Sequence, residues 1–113
     1  MEHMHNTRLS GPALAQALSG LQGWTLAPEP DHIAQTWTFD SFQTAMDFWA
    51  QVAALAERHD HHPECLSTYT HLRIRLWTHD AGGLTLKDVQ LASDIDQLLA
   101  KDFASRLQGA ARP

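Results

Sequence analysis

The feature that most constrains this chain is a switch in hydrophobic period that occurs twice along its length. From Ile33 to Phe39 the repeat is two: Ile33, Gln35, Trp37 and Phe39 alternate with Ala34, Thr36 and Thr38, as on a strand with two different faces. From Ser41 to about Arg58 the repeat lengthens. Phe42, Ala45, Met46, Trp49, Val52, Ala53 and Ala56 recur at three- and four-residue intervals, which predicts a long amphipathic helix capped by Asp40 or Ser41. Period two then returns, because Leu66 to Thr70 is strand-like and Leu72, Ile74 and Leu76 alternate with Arg73, Arg75 and Trp77 up to Thr78. Leu86, Val89, Ala92, Ile95, Leu99 and Phe103 restore the helical repeat after the Gly82-Gly83 turn, with Thr85 and Asp88 spaced as a capping box. Before all of this, Ser10-Gly11-Pro12 opens a short helix with Leu14, Leu18 and Leu21 on one face, and Trp24 to Leu26 forms a short strand ending at Pro28 and Pro30. The order is α-β-β-α-β-β-α. An α+β fold follows: a four-stranded antiparallel sheet with three helices on one face.

With 113 residues there is room for one core, and neither repeat nor linker divides the chain, so residues 1–113 are expected to form a single domain with its core at about 9–107. Apolar residues at 43% and charged residues at 19% fit a globular domain rather than a disordered one. A net charge of -5 argues against capture of nucleic acid, which needs a basic face. No run approaches the length of a membrane span. Met1-Glu2-His3-Met4-His5 lacks the regions of a secretion signal, and a single cysteine, Cys65, excludes an intrachain disulfide; a cytoplasmic location is expected.

Chemistry concentrates at three imidazoles. His61 and His62 stand where the long helix must stop before Pro63, and His79 follows the last strand. Glu57 precedes the pair by four positions and Asp88 follows the third histidine. Imidazole moves protons near neutrality, and carboxylates beside it can fix a tautomer or raise basicity. The chain holds eight histidines, so residue types alone leave open whether these three do chemistry. His3, His5 and His32 read as solvated, and His59 and His71 could serve either role. A metal site at His59, His61 and His62 is the weaker reading, because neighbours at one helix end rarely aim at one ion and no zinc motif occurs. Cys65 reads as a small buried hydrophobe, Trp37, Phe42 and Trp49 as packing, and Arg73 and Arg75 as a solvated strand face. Trp24 and Trp77 could either pack or border a flat ligand.

Glu57-x3-His61-His62-Pro63-x5-Tyr69-x9-His79-x8-Asp88, with Gly23-Trp24, Phe39-Asp40-Ser41-Phe42, Gly82-Gly83-Leu84-Thr85 and Lys87-Asp88 flanking it, resembles the signature of the pterin-4a-carbinolamine dehydratases. The resemblance runs from about Leu9 to Leu99. It implies a hydro-lyase that converts 4a-hydroxytetrahydropterin to the quinonoid dihydropterin and water during pterin recycling. It also implies a homodimer or homotetramer with no metal and no organic cofactor. Carried onto this chain, the catalytic positions are His61, His62 and His79, and the substrate-binding set is Glu57, Asp60, His61, His62, Trp77, Thr78, His79, Asp80 and Asp88. Two positions depart from the family pattern: Cys65 replaces an aromatic residue, and Trp77 stands where a small serine is common. The alternative is a non-catalytic binding or assembly module that has kept the dehydratase fold.

Overall fold

Ser10, extended at φ -153°, and Pro12 in the first turn start helix α1 (Gly11–Leu18), which sets Leu14 into the core. The computed structural model describes residues 7–109. Strand β1 (Thr25–Ala27) pairs with β2 (His32–Thr38), and helix α2 (Phe42–His59) then crosses the sheet. Strands β3 (Glu64–Thr68) and β4 (His71–Leu76) form a hairpin, and helix α3 (Leu86–Leu98) closes the domain. The strands run in the order β1-β2-β4-β3, each pair antiparallel. Three helices over a four-stranded antiparallel sheet is the α+β arrangement read from the periodicities.

Alternation decides which face is covered. Ile33, Trp37, Leu72, Ile74 and Leu76 point toward the helices and meet Ala45, Phe48, Val52 and Ala56 of α2 and Leu91, Ala92 and Ile95 of α3, all of them buried. Phe48 is the hub: its ring lies 5.0 to 5.2 Å from those of Trp37, Phe39 and Phe103.

Several boundaries differ from the sequence reading. Strand β2 ends at Thr38, because Phe39 leaves the ladder to bridge Leu107 while the backbone N–H groups of Asp40 and Gln108 donate to Arg106 and Thr38. Strand β3 ends at Thr68, since Tyr69 at φ 53° makes the hairpin turn. The last helix keeps α geometry only to Leu98; Leu99–Phe103 is a π turn and Ala104–Arg106 a 3-10 turn, which swing Phe103 inward and start the strap along β2. Phe42 is exposed rather than packed, and Thr44 and Phe48 occupy the core in its place. Trp49 is only half-buried. His32, expected in solvent, is buried with its Nδ1 bonded to the Pro30 carbonyl at 2.8 Å, because on β2 it lies beside Trp77, which follows the paired strand β4. Arg75 is half-buried, and its Nε is enclosed without a hydrogen-bond partner. His3 and His5 lie outside the described residues. Among the described residues no helix is long and apolar enough to cross a membrane.

Candidate active site

The site begins with the way α2 ends. Asp60 takes the left-handed conformation at φ 50°, which Asp tolerates better than most residues, and the N–H groups of Asp60 and His61 close on the last helical carbonyls. The chain then reverses, and Pro63 prevents a further turn. This reversal separates the paired histidines: His61 turns inward and is buried, whereas the His62 side chain is 60% exposed.

Beyond β4, the segment from Thr78 to Thr85 folds back on itself through the Thr78–Gly83 bridge, with a 3-10 turn at His79–Ala81. Gly82, at φ 68°, ends that turn in a conformation that suits glycine. Thr85 and Asp88 then cap α3, completing the capping box despite the short acidic side chain.

These two loops share one cavity of about 420 Å³, lined by Asp60, His61, His62, Trp77, Thr78, His79, Asp80 and Lys87. That volume lies within the range of roughly 300–1,000 Å³ common for small-molecule sites. The three imidazoles therefore border one space, although His79 lies 17 positions beyond His62 in the chain. A second cavity of about 290 Å³ lies around Gly23, Ala34, Thr36 and Arg73. Arg73 is the one charged side chain on its wall, and no proton-transferring group accompanies it.

Two of the imidazoles are backed by carboxylates. His61 Nε2 meets Asp88 Oδ1 at 2.5 Å, and His62 Nε2 meets Glu57 Oε1 at 2.5 Å. The first pair is enclosed: Asp88 is fully buried, and its Oδ2 accepts from Thr78 Oγ1 at 2.8 Å and the Thr85 N–H at 2.9 Å. A carboxylate oxygen can only accept, so His61 carries its proton on Nε2 and leaves Nδ1 as the nitrogen without a protein partner among the described residues. The second pair is open to water, with Glu57 76% exposed.

Two of the expected site residues stand behind histidines. Asp88 is buried, and its oxygens are engaged by His61, Thr78 and Thr85. Glu57 likewise stands behind His62 and is not on the wall. Sequence reasoning missed Lys87, which faces the cavity; its position beside the signature Asp88 was the available clue. Trp24 packs against the core and donates from Nε1 to Asp96 at 2.7 Å, away from the cavity wall. His59 bonds Asp94 at 2.7 Å and His71 bonds Thr38 Oγ1 at 2.8 Å, both away from the cavity wall. Among the described residues no group of three or more His, Cys, Asp or Glu side chains is arranged to hold a metal ion.

Cys65 lies half-buried on β3 against the core, and burial pushes its thiol up to about 11. The thiol form is the one that packs, so the nucleophilic thiolate is scarce at neutral pH. Alkylation by iodoacetamide at pH 8 is expected to run about 100-fold slower in the folded protein than in the urea-unfolded chain, accelerating as pH climbs toward the folded value. Equal rates in the two states would show a free, ionisable thiol instead.

Residues 7–98 match the family described as Pterin 4 alpha carbinolamine dehydratase. A protein of Bradyrhizobium sp., provisionally named a pterin-4-alpha-carbinolamine dehydratase, is 43% identical over 93 residues, covering 82% of this chain and 93% of the relative. A Rhodopseudomonas palustris protein with the same provisional name is 42% identical over 94 residues, covering 83% of this chain and 93% of its own. Among solved structures, a transcriptional coactivator/pterin dehydratase from Brucella melitensis superposes with a TM-score of 0.77 at 34% identity, covering 81% of this chain and 98% of that one. A pterin dehydratase-like RuBisCO assembly factor of the alpha-carboxysome shares the fold, with a TM-score of 0.59 at 22% identity over 68% of this chain and 89% of that one.

Proposed function

The chain belongs to the pterin 4 alpha carbinolamine dehydratase family, and we propose that it removes water from a 4a-hydroxytetrahydropterin to give the quinonoid dihydropterin. The observation that carries this reading is the meeting of His61, His62 and His79 at one cavity, two of them backed by carboxylates. In the reaction the C4a–O bond breaks and the hydroxyl leaves as water after taking a proton. The N5–H proton departs to a base, and its electron pair forms the C4a–N5 double bond. A carboxylate behind an imidazole stabilises the imidazolium formed when the ring takes a proton. His61, with Asp88 on Nε2 and Nδ1 unoccupied, suits the base at N5. His79 has no carboxylate bonded to its ring and suits the donor to the hydroxyl. Each such transfer is worth roughly 10²–10⁴-fold.

On the same reading, Asp60 and Asp80 accept hydrogen bonds from the amino edge of the pterin, and Lys87 donates to its oxo group. Trp77 and Thr78 complete the wall, and Glu57 and Asp88 act through the histidines they hold. A stopped-flow assay of 4a-hydroxytetrahydropterin decay, with and without the protein, tests the function. Acceleration in proportion to enzyme concentration is expected; an unchanged decay would abandon catalysis. The fold shared with an assembly factor favours a second reading, a non-catalytic assembly module. The same assay separates them, since such a module would leave the decay rate unaltered.

We further read the protein as a homo-oligomer. Both edge strands, β1 and β3, have an unpaired side, and Leu66 and Tyr69 at the β3 edge are 62% and 73% exposed. Sedimentation at micromolar concentration is expected to give at least a dimer; a 12.6 kDa species would contradict it.

A further inference from the structure

His61 and His62 are each oriented by a carboxylate, and His79 is not. Among the described residues no hydrogen bond or ion pair holds the exposed His79 side chain. Its ring instead lies against Trp77, with centroids 4.7 Å apart and planes inclined by 37°. An exposed imidazole on a short 3-10 turn would otherwise sample several staggered rotamers.

Trp77 is itself fixed from two further directions. The Arg75 guanidinium carbon is 4.9 Å from the indole centroid, within the reach of a cation–π contact, and Arg75 Nη1 donates to Glu64 Oε1 at 2.8 Å. The buried His32 ring approaches the indole at 6.2 Å from the neighbouring strand β2. Arg75 and Trp77, two residues apart, share one side of the chain, and the 3-10 turn beginning at His79 sets that imidazole against the indole. Arg75 Nε has no hydrogen-bond partner, so this guanidinium is held by Glu64 on one side and the indole on the other.

We propose that Trp77 is a positioning residue for His79, and that Glu64, Arg75 and Trp77 form a relay fixing the orientation of that imidazole at the cavity wall. The proposal rests on the reading of His79 as a proton-transfer group. It adds a requirement that the family signature does not contain: the third histidine takes its geometry from an aromatic stack. Misplacing a catalytic group by about 1 Å can cost up to about 100-fold in rate, so loss of the stack should lower turnover.

The test pairs NMR with kinetics on W77S and W77F. In the wild type the indole ring current should displace the His79 ring-proton resonances; W77S should abolish that displacement and W77F should keep part of it. In W77S, kcat should fall about tenfold, and W77F should recover most of the loss. Should W77S fail to fold, W77L, which keeps an apolar side chain without a ring current, carries the same two expectations. Unchanged His79 resonances in either ring-deleted variant would overturn the proposal, as would a lost displacement with kcat intact. If the wild type does not dehydrate the pterin at all, the functional reading fails, while the NMR arm still decides whether Trp77 orients His79.

Discussion

His79→Ala and His61→Ala are each expected to slow pterin dehydration by about 10²- to 10⁴-fold, and the two should differ in what else they change. His79 is exposed at the start of a short turn, so its removal deletes a proton donor and little packing. Its melting temperature should move by only a few degrees. His61 is buried, and its loss leaves Asp88 Oδ1 without the donor it meets at 2.5 Å. An orphaned buried acceptor costs about 1–3 kcal/mol, so His61→Ala should lose stability as well as rate. His62, exposed beside an exposed Glu57, should cost rate with no measurable stability change. Cys65→Ser should retain most activity, because the thiol is held protonated. Full turnover in both His61→Ala and His79→Ala would remove the acid–base assignment even with the family membership intact.

What the chain discloses before folding is unequal across its parts. The periods of two and of three to four set the element order, since alternation on β2 and β4 reflects a sheet covered on one side. Periodicity is less informative about which stripe of a helix faces inward. The expected face of helix α2 holds Ala45, Val52 and Ala56, which are buried, but also Phe42, which is exposed, and it leaves out the buried Phe48. Only the position of the sheet, set by pairings distant in the chain, decides which stripe is buried. His32 looked solvated for the same reason: its burial comes from Trp77, 45 positions later.

The site divides along the same line. The His62–Glu57 pair spans five residues and one helix end, so it could be inferred locally. The His61–Asp88 contact spans 27 residues, and nothing short of the folded chain shows which carboxylate stands behind which imidazole. Asp88 was legible as a cap and, by resemblance, as a site carboxylate. That one wholly buried side chain both caps α3 and bonds His61 is a property of tertiary packing.

Asp88 therefore offers the sharpest separation of stability from catalysis. Asp88→Ala strands three buried donors at once: the Thr85 N–H, the Thr78 hydroxyl and His61 Nε2–H. Each buried donor left unsatisfied typically costs about 1–3 kcal/mol, so the three together should cost about 3–5 kcal/mol. For a domain of this size that corresponds to a fall in melting temperature of about 15–25 °C. Asp88→Asn has nearly the same shape and should behave differently. Its amide oxygen can take the place of Oδ2 and still accept from Thr85 and Thr78, which sets the amide NH₂ against His61 Nε2. That contact needs a lone pair on Nε2, so the imidazole proton moves to Nδ1. A ring protonated on Nδ1 cannot accept the N5 proton there. Asp88→Asn is expected to lose about 100-fold or more in kcat while melting within a few degrees of the wild type, with ¹⁵N imidazole NMR reporting the switched tautomer. An Asn variant that kept both wild-type turnover and the Nε2–H tautomer would rule out His61 as a base positioned by Asp88.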